Sequence, residues 1–255
     1  MVEIREDVVT QGPLDRLAAL LDRNPVPGIV PPLGHWLYTL PDAAQAALGP
    51  DGHPLQGLVA PPSGLPRRMW AGGRVEFRGA ITVGDRIVRR STAARSVDKG
   101  AMRFVTVSHE IRAGEAVVIE EQDLVYLPAR TGSDARSLQP VDVPAPEYRR
   151  TIVADATMLF RFSALTYNAH RIHYDRDFAR DFEHYPGLVV HGPLLAMLLV
   201  DDAIRRNPGR QVARFAFRAR TAVFDGEAFD LCGAGTTLWI EREGVVAMTA
   251  EIGFA

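Results

Sequence analysis

Cysteine is nearly missing from this chain. Cys232 is the only one in 255 residues, which rules out an intramolecular disulfide, and none of the usual Cys/His zinc spacings is present. Cys232 sits in an apolar, strand-like stretch, where a buried thiol is the ordinary reading and a nucleophile the rarer one. An excess of either charge is missing too. The 29 Lys+Arg stand against 31 Asp+Glu, a formal net charge of −2, and no basic cluster is interleaved with aromatics. That balance argues against general attraction to nucleic acid or an acidic membrane. The apolar runs fall far short of the roughly 20 residues that span a bilayer, and no secretory signal pattern opens the chain. The expectation is a soluble, cytoplasmic protein that needs neither nucleic acid nor membrane. No internal repeat is visible either.

What the chain does have is a 47% hydrophobic composition, enough to bury one large or two medium cores. Leu14, Leu17, Ala18 and Leu21 recur at helical spacing within PLDRLAALLD, which predicts a short amphipathic helix. From Met69 to Leu127 the pattern turns to extended pieces separated by Gly79, Gly84, Gly100 and Gly114, as in an antiparallel sheet. A stretch loaded with Pro, Ser, Asp and Arg, Pro128 to Pro146, lacks periodicity and reads as a connection. A boundary near residue 140 follows, dividing the chain into 1–140 and 141–255.

In the second half, RTIVA is extended, and Asp155 is placed to cap a helix running to about Thr166. A second short helix is expected after Asp175, within DRDFARDF. The run from Gly192 to about Arg206 is apolar almost all round, which marks a buried helix. It offers no obvious carboxylate. Three strand candidates follow: VARFAFRARTAVF, FDLCGAGTTLWIERE and VVAMTAEIGFA. A buried helix wrapped by a strongly curved antiparallel sheet accommodates both features.

The segment Asn168 to Pro193 holds four of the seven histidines, His170, His173, His184 and His191. Histidine is the one side chain whose unperturbed pKa lies near neutrality, so a proton-transfer site is expected here. The segment ends in His191-Gly192-Pro193 at a helix start. Free backbone N–H groups and a positive dipole end at such a start suit an oxyanion.

Read in order, Asn168, Ile172-His173-Tyr174-Asp175, Ala179, Phe182 and His191-Gly192-Pro193 resemble the MaoC-like family of (R)-specific enoyl-thioester hydratases and 3-hydroxyacyl-thioester dehydratases. The stretch RMWAGGRVEFRGAITVGDRIVRR is similar to the N-terminal half of the family's double hot-dog branch, which includes itaconyl-CoA and mesaconyl-CoA hydratases and fungal mitochondrial dehydratases. The resemblance covers about residues 60–127 and 150–255. It implies an α+β double hot-dog fold, each half a curved antiparallel sheet around a central helix, with a degenerate N-terminal copy. It implies a hydro-lyase adding water to an α,β-unsaturated acyl thioester, or removing it, with no metal or redox cofactor. The CoA or acyl-carrier arm is then part of the substrate, and the chain is a monomer of fused hot dogs or a homodimer.

The resemblance also assigns roles. His173 is the acid/base on the water, and the Gly192 N–H polarises the thioester carbonyl. The family's aspartate sits two residues before its asparagine, Asn168, and that place is Thr166 here. Two extra residues then separate Asn168 from His173. Thr166 or Asn168 is left to hold the water, and His170 or Asp175 to substitute for the missing carboxylate. Structural readings stand beside these: Asp175 as a helix cap, Asn168 as a turn residue, His191 packed beneath the helix start. Arg214, Arg218 and Arg220 alternate toward one face, either binding CoA phosphates or simply solvated. Arg67-Arg68 and Arg161 are candidates for a distal substrate carboxylate or for ordinary ion pairs. Trp36, Tyr38 and Trp70 are candidate walls of an acyl pocket. Thioester hydrolysis and non-catalytic acyl-thioester binding remain as alternatives.

Overall fold

The computed structural model describes residues 1–129 and 141–255, so the expected boundary and most of the connection before it lie outside the described residues. The chain divides into two compact units. The first is Met1–Ala129 with Arg161–Ala169, and the second is Arg130–Phe160 with His170–Ala255.

The first unit contains β1 (Val2–Val8), α1 (Gln11–Leu20), β2 (Arg67–Arg78), β3 (Arg86–Lys99), β4 (Met102–Ala113) and β5 (Ala116–Leu127). Its strands are antiparallel in the order β1-β3-β4-β5-β2. Lys99 pairs with Met102 and Ala113 with Ala116. Each hairpin therefore turns on two residues led by a glycine of positive φ, Gly100 and Gly114, which is the turn chemistry that matches strand twist. The four strands β2 to β5 occupy the expected pieces. β1 was not expected: it is an edge strand with Val2 and Ile4 exposed, so its sequence carries no burial pattern.

The inner face of this sheet is partly polar. Ser91, His109, Glu120 and Val75 lie side by side across β3, β4, β5 and β2, all buried. The Glu120 carboxylate accepts from Trp36 Nε1 at 2.9 Å and Gln122 Nε2 at 2.8 Å, and pairs with His35 Nε2 at 3.1 Å. His35 and Trp36 come from a 3-10 turn, Gly34–Leu37. The Tyr38 ring is core, 2% exposed, with its hydroxyl donating to Thr10 O.

The second unit contains β6 (Tyr148–Val153), the start of α2 (Ala156–Thr166), α3 (Gly192–Arg206), β7 (Val212–Ala219), β8 (Ala228–Ala234), β9 (Thr237–Arg242) and β10 (Val245–Phe254). Asp155 caps α2 as expected, its Oδ1 accepting the Met158 N–H at 2.8 Å. The strand order is β7-β10-β9-β8-β6. Counted along the chain, the strands of each unit have the order first-third-fourth-fifth-second, with the helical segment between first and second strands. The duplication is thus structural although no sequence repeat is visible. One expected strand is in fact a hairpin: Ala234 pairs with Thr237 around Gly235 at φ +57, so FDLCGAGTTLWIERE divides into β8 and β9.

Helix α3 packs against β7, β8, β9 and β10. Every residue from Leu194 to Ala203 is buried, facing Phe215, Leu231, Trp239, Ile240 and Met248 in the same core. Contrary to expectation, two buried carboxylates ride on this helix. Asp201 pairs with Arg205 at 2.7 Å, and Asp202 with Arg206 at 2.8 Å and Arg150 at 3.3 Å. Cys232 is fully buried and its thiol is pushed up to about 11 by burial, so it is a core residue. Among the described residues, no helix is long and apolar enough to cross a membrane.

Candidate active site

The second unit brings His170, His173 and His191 together. His173 lies in a 3-10 turn, Arg171–His173, and is 7% exposed. Its Nδ1 is 2.7 Å from the Val189 carbonyl oxygen. A carbonyl only accepts, so Nδ1 carries the proton, and in the neutral ring Nε2 holds the lone pair. The same two segments are tied again by the Val189 N–H donating to Ile172 O at 2.9 Å. Val190 in turn donates to Val223 O at 2.8 Å, and Leu188 to Asp225 Oδ1 at 2.7 Å. These bonds fix the ring's position. The Val189 carbonyl was not foreseen, because a backbone acceptor leaves no mark in the sequence.

The His191 ring stacks on His173 with centroids 3.7 Å apart and planes 20° apart, and the His170 ring meets His173 edge-on at 5.3 Å. His191 is completely buried. Burial, and then the neighbouring His173, hold its pKa well below the ordinary histidine value. It therefore stays neutral near pH 7.

His191 is also the residue before α3, with Leu195 N–H donating back to its carbonyl at 3.0 Å. Gly192 and Pro193 form the first helical positions. Proline brings no N–H, so Gly192 and Leu194 supply the first free amides of the helix. Leu194 is fully buried, whereas Gly192 is partly exposed. Gly192 is thus the one of the two with exposed surface, and the absence of a side chain permits close approach to its backbone.

Asp175 takes the capping role. Its Oδ1 accepts the Phe178 N–H at 3.0 Å, and its Oδ2 accepts Arg171 Nε at 2.9 Å and Nη2 at 2.7 Å. The Phe178 amide and then the Arg171 charge hold this carboxyl below its usual range, which leaves it a poor proton carrier. The turn it caps, Phe178–Phe182, is π-helical. Asp175→Ala is expected to cost about 1 kcal/mol of stability in urea denaturation while reducing turnover far less than loss of His173.

Arg161, Thr166 and Asn168 belong to the first unit. Thr166 Oγ donates to Phe162 O at 2.8 Å, so its proton is engaged by the helix. The chain leaves α2 through Tyr167 at φ +50, and the Asn168 N–H closes the helix on Ser163 O at 2.8 Å. Arg161 is exposed. Arg67 and Trp70 lie in β2. The Trp70 ring is 5.1 Å from Trp36 and packs on the cluster of Val107, Leu124 and Tyr126. In the second unit, Arg214 and Arg218 share the exposed face of β7 opposite Phe215 and Phe217, as the alternation requires, with Arg220 just past the strand.

Over residues 33–225 the chain matches the hydroxyacyl-thioester dehydratase type 2 family. It is 43% identical over 230 residues to mesaconyl-C(4)-CoA hydratase of Chloroflexus aurantiacus, covering 87% of this chain and 81% of that one. Over 285 residues it is 24% identical to the mitochondrial hydroxyacyl-thioester dehydratase type 2 of Schizosaccharomyces pombe, covering 94% and 92%. Among solved structures, HtdX of Mycobacterium tuberculosis gives a TM-score of 0.74 at 16% identity over 100% of both chains. The MaoC-like dehydratase of Phytophthora capsici gives 0.70 at 13% identity, over 100% of this chain and 95% of that one. These structural likenesses carry the fold, which is the expected α+β hot dog. The chain belongs to the hydroxyacyl-thioester dehydratase type 2 family and is a hydro-lyase of acyl thioesters.

Proposed function

We propose that this enzyme adds water to a short, branched, dicarboxylic enoyl-CoA, with His173 as its acid/base. The observation that carries the assignment is the 2.7 Å bond from His173 Nδ1–H to Val189 O, which leaves Nε2 as the proton acceptor. The substrate class rests on the 43% identity to a relative named as a mesaconyl-C(4)-CoA hydratase.

In the proposed reaction, His173 Nε2 takes a proton from water as the water oxygen bonds to the β-carbon. The π electrons of the double bond move toward the thioester, whose oxygen gains charge against the Gly192 N–H. The α-carbon then receives a proton from the imidazolium, which restores His173 and completes the addition of H and OH. Neutral His191 beneath the ring adds no second positive charge while His173 is protonated. The family's aspartate precedes its histidine by five positions, and with no insertion that place is Asn168. An amide cannot accept a proton from water, so the proposed reaction routes that transfer through His173.

The rival of thioester hydrolysis needs a carboxylate as general base, and both α3 carboxylates are bound by arginines. The test is a panel of crotonyl-CoA, itaconyl-CoA and mesaconyl-C4-CoA, followed by loss of the enoyl-thioester absorbance. The highest kcat/KM is expected on mesaconyl-C4-CoA. A higher value on crotonyl-CoA would contradict the dicarboxylic assignment.

A further inference from the structure

The second unit carries two neighbouring arginines, Arg218 and Arg220, whose guanidinium groups have no hydrogen-bond or ion-pair partner among the described residues. Arg218 lies on the exposed face of β7, directly across from Thr249 of β10. Arg220 follows just past the strand and is exposed as well. Its backbone N–H and that of Thr221 both donate to Ala247 O, at 2.8 and 3.2 Å, which holds the chain firmly where the strand ends. Burial, and then the charge of Arg218, lower the pKa of Arg220, so the two cations feel each other.

Other arginines of this unit are placed differently. Arg149 pairs with Asp230 and Glu241, Arg176 with Asp225, Arg180 with Asp177 and Asp181, and Arg242 with Glu227. Arg210 lies over the Phe254 ring at 4.5 Å, and the stem of Arg214 lies across Gly253, where a Cβ would come within 2.6 Å of its Cγ. On the face that Arg218 shares, Glu251 stands across from Ala216, and its two oxygens accept from the Thr236 and Thr237 hydroxyls at 3.3 and 2.8 Å. Arg218 and Arg220 are thus left with each other. Like charges held together repel, and an anion seated between them removes that repulsion. A phosphate group suits the place, because guanidinium forks match its oxygens in pairs. Thr249 adds a hydroxyl donor opposite Arg218.

We infer that Arg218 and Arg220 form a subsite for a phosphate group of the CoA arm. Both belong to the unit that also carries His173 and Gly192. Three residues after Arg220, Val223 O accepts the Val190 N–H at 2.8 Å, and Val190 adjoins His191. Three residues of chain span at most about 11 Å, so the arginine pair is near the segment that leads into α3. The pantetheine arm of an acyl-CoA sets the phosphates well apart from the thioester, so their subsite belongs at some distance from the His173 ring. This assignment rests on the enoyl-CoA reading above and deepens it, naming the residues that hold the nucleotide end of the substrate.

The test uses two saturated thioesters that cannot be hydrated, so it reads binding whether or not the enzyme turns over a given enoyl-CoA. Butyryl-CoA carries the phosphates, and butyryl-pantetheine ends before them. Isothermal titration of wild type is expected to show tighter binding of butyryl-CoA. Arg218→Gln and Arg220→Gln are each expected to weaken butyryl-CoA about 10-fold and to leave butyryl-pantetheine unchanged. Arg218→Lys, which keeps the charge without the fork, is expected to lose less. The inference is overturned if wild type does not prefer butyryl-CoA, or if the two Gln variants bind it as wild type does. Equal weakening of both thioesters overturns it as well, because the loss then lies in the acyl pocket. Failure of the hydratase reading shows separately, as phosphate-dependent binding without turnover on the enoyl-CoA panel.

Discussion

His173→Ala is expected to lower kcat by about 10²–10⁴-fold while acyl-CoA binding, measured by titration, persists. The loss falls on turnover because the imidazole acts on the water and not on the CoA arm. A positioned second base would soften it, and three of the candidates do not qualify. His191 is held neutral by burial and stacked flat on the same ring. Asp175 has both oxygens occupied and a depressed pKa. Thr166 commits its proton to Phe162 O. His173→Gln keeps a donor for Val189 O, so an equal loss in that variant would assign the effect to proton transfer and not to the collapse of the turn.

Glu120→Ala is expected to be the most destabilising single change in the first unit, about 3–5 kcal/mol by urea denaturation. The carboxylate is 2% exposed and is the common acceptor for His35, Trp36 and Gln122. Removing it leaves these buried donors without their partner. Burial alone would raise the pKa of Glu120. The bond from His35, the charges of His35 and His109, and the Gln122 bond outweigh it and bring the value down to about 2. A carboxyl depressed in the folded state binds fewer protons there than in the unfolded chain. Its stabilisation is therefore complete above the ordinary value near 4.5 and is lost as pH falls toward about 2. Urea midpoints taken between pH 6 and pH 3 are expected to drop more steeply for wild type than for Glu120→Gln.

Local chemistry was legible in the sequence. The Asp155 cap, the glycine-led hairpins at Gly100 and Gly114, and the buried helix from Gly192 to Arg206 all depend on neighbours a few residues apart. Long-range pairing was not legible. The common strand order of the two units arises from strands that meet far apart in sequence, with no repeat to announce it. β1 escaped notice because an edge strand with exposed Val2 and Ile4 lacks the usual inward alternation. The burial of Glu120 did have a signal: it shares the parity of buried Val118 along β5. Within the site, His173 was readable from its histidine-rich context. The Val189 carbonyl that sets its tautomer was not, since every residue has such a group. Asp201 and Asp202 were hidden by the apolar run before them, and only their pairing with arginines makes their burial tolerable.

The most direct measurement of the proposed chemistry follows mesaconyl-C4-CoA by two signals at once, the enoyl-thioester absorbance and free CoA thiol. Wild type is expected to remove the absorbance without releasing thiol, and His173→Ala to do neither at a comparable rate. Thiol released in step with the absorbance, or undiminished turnover in His173→Ala, would contradict hydration by His173.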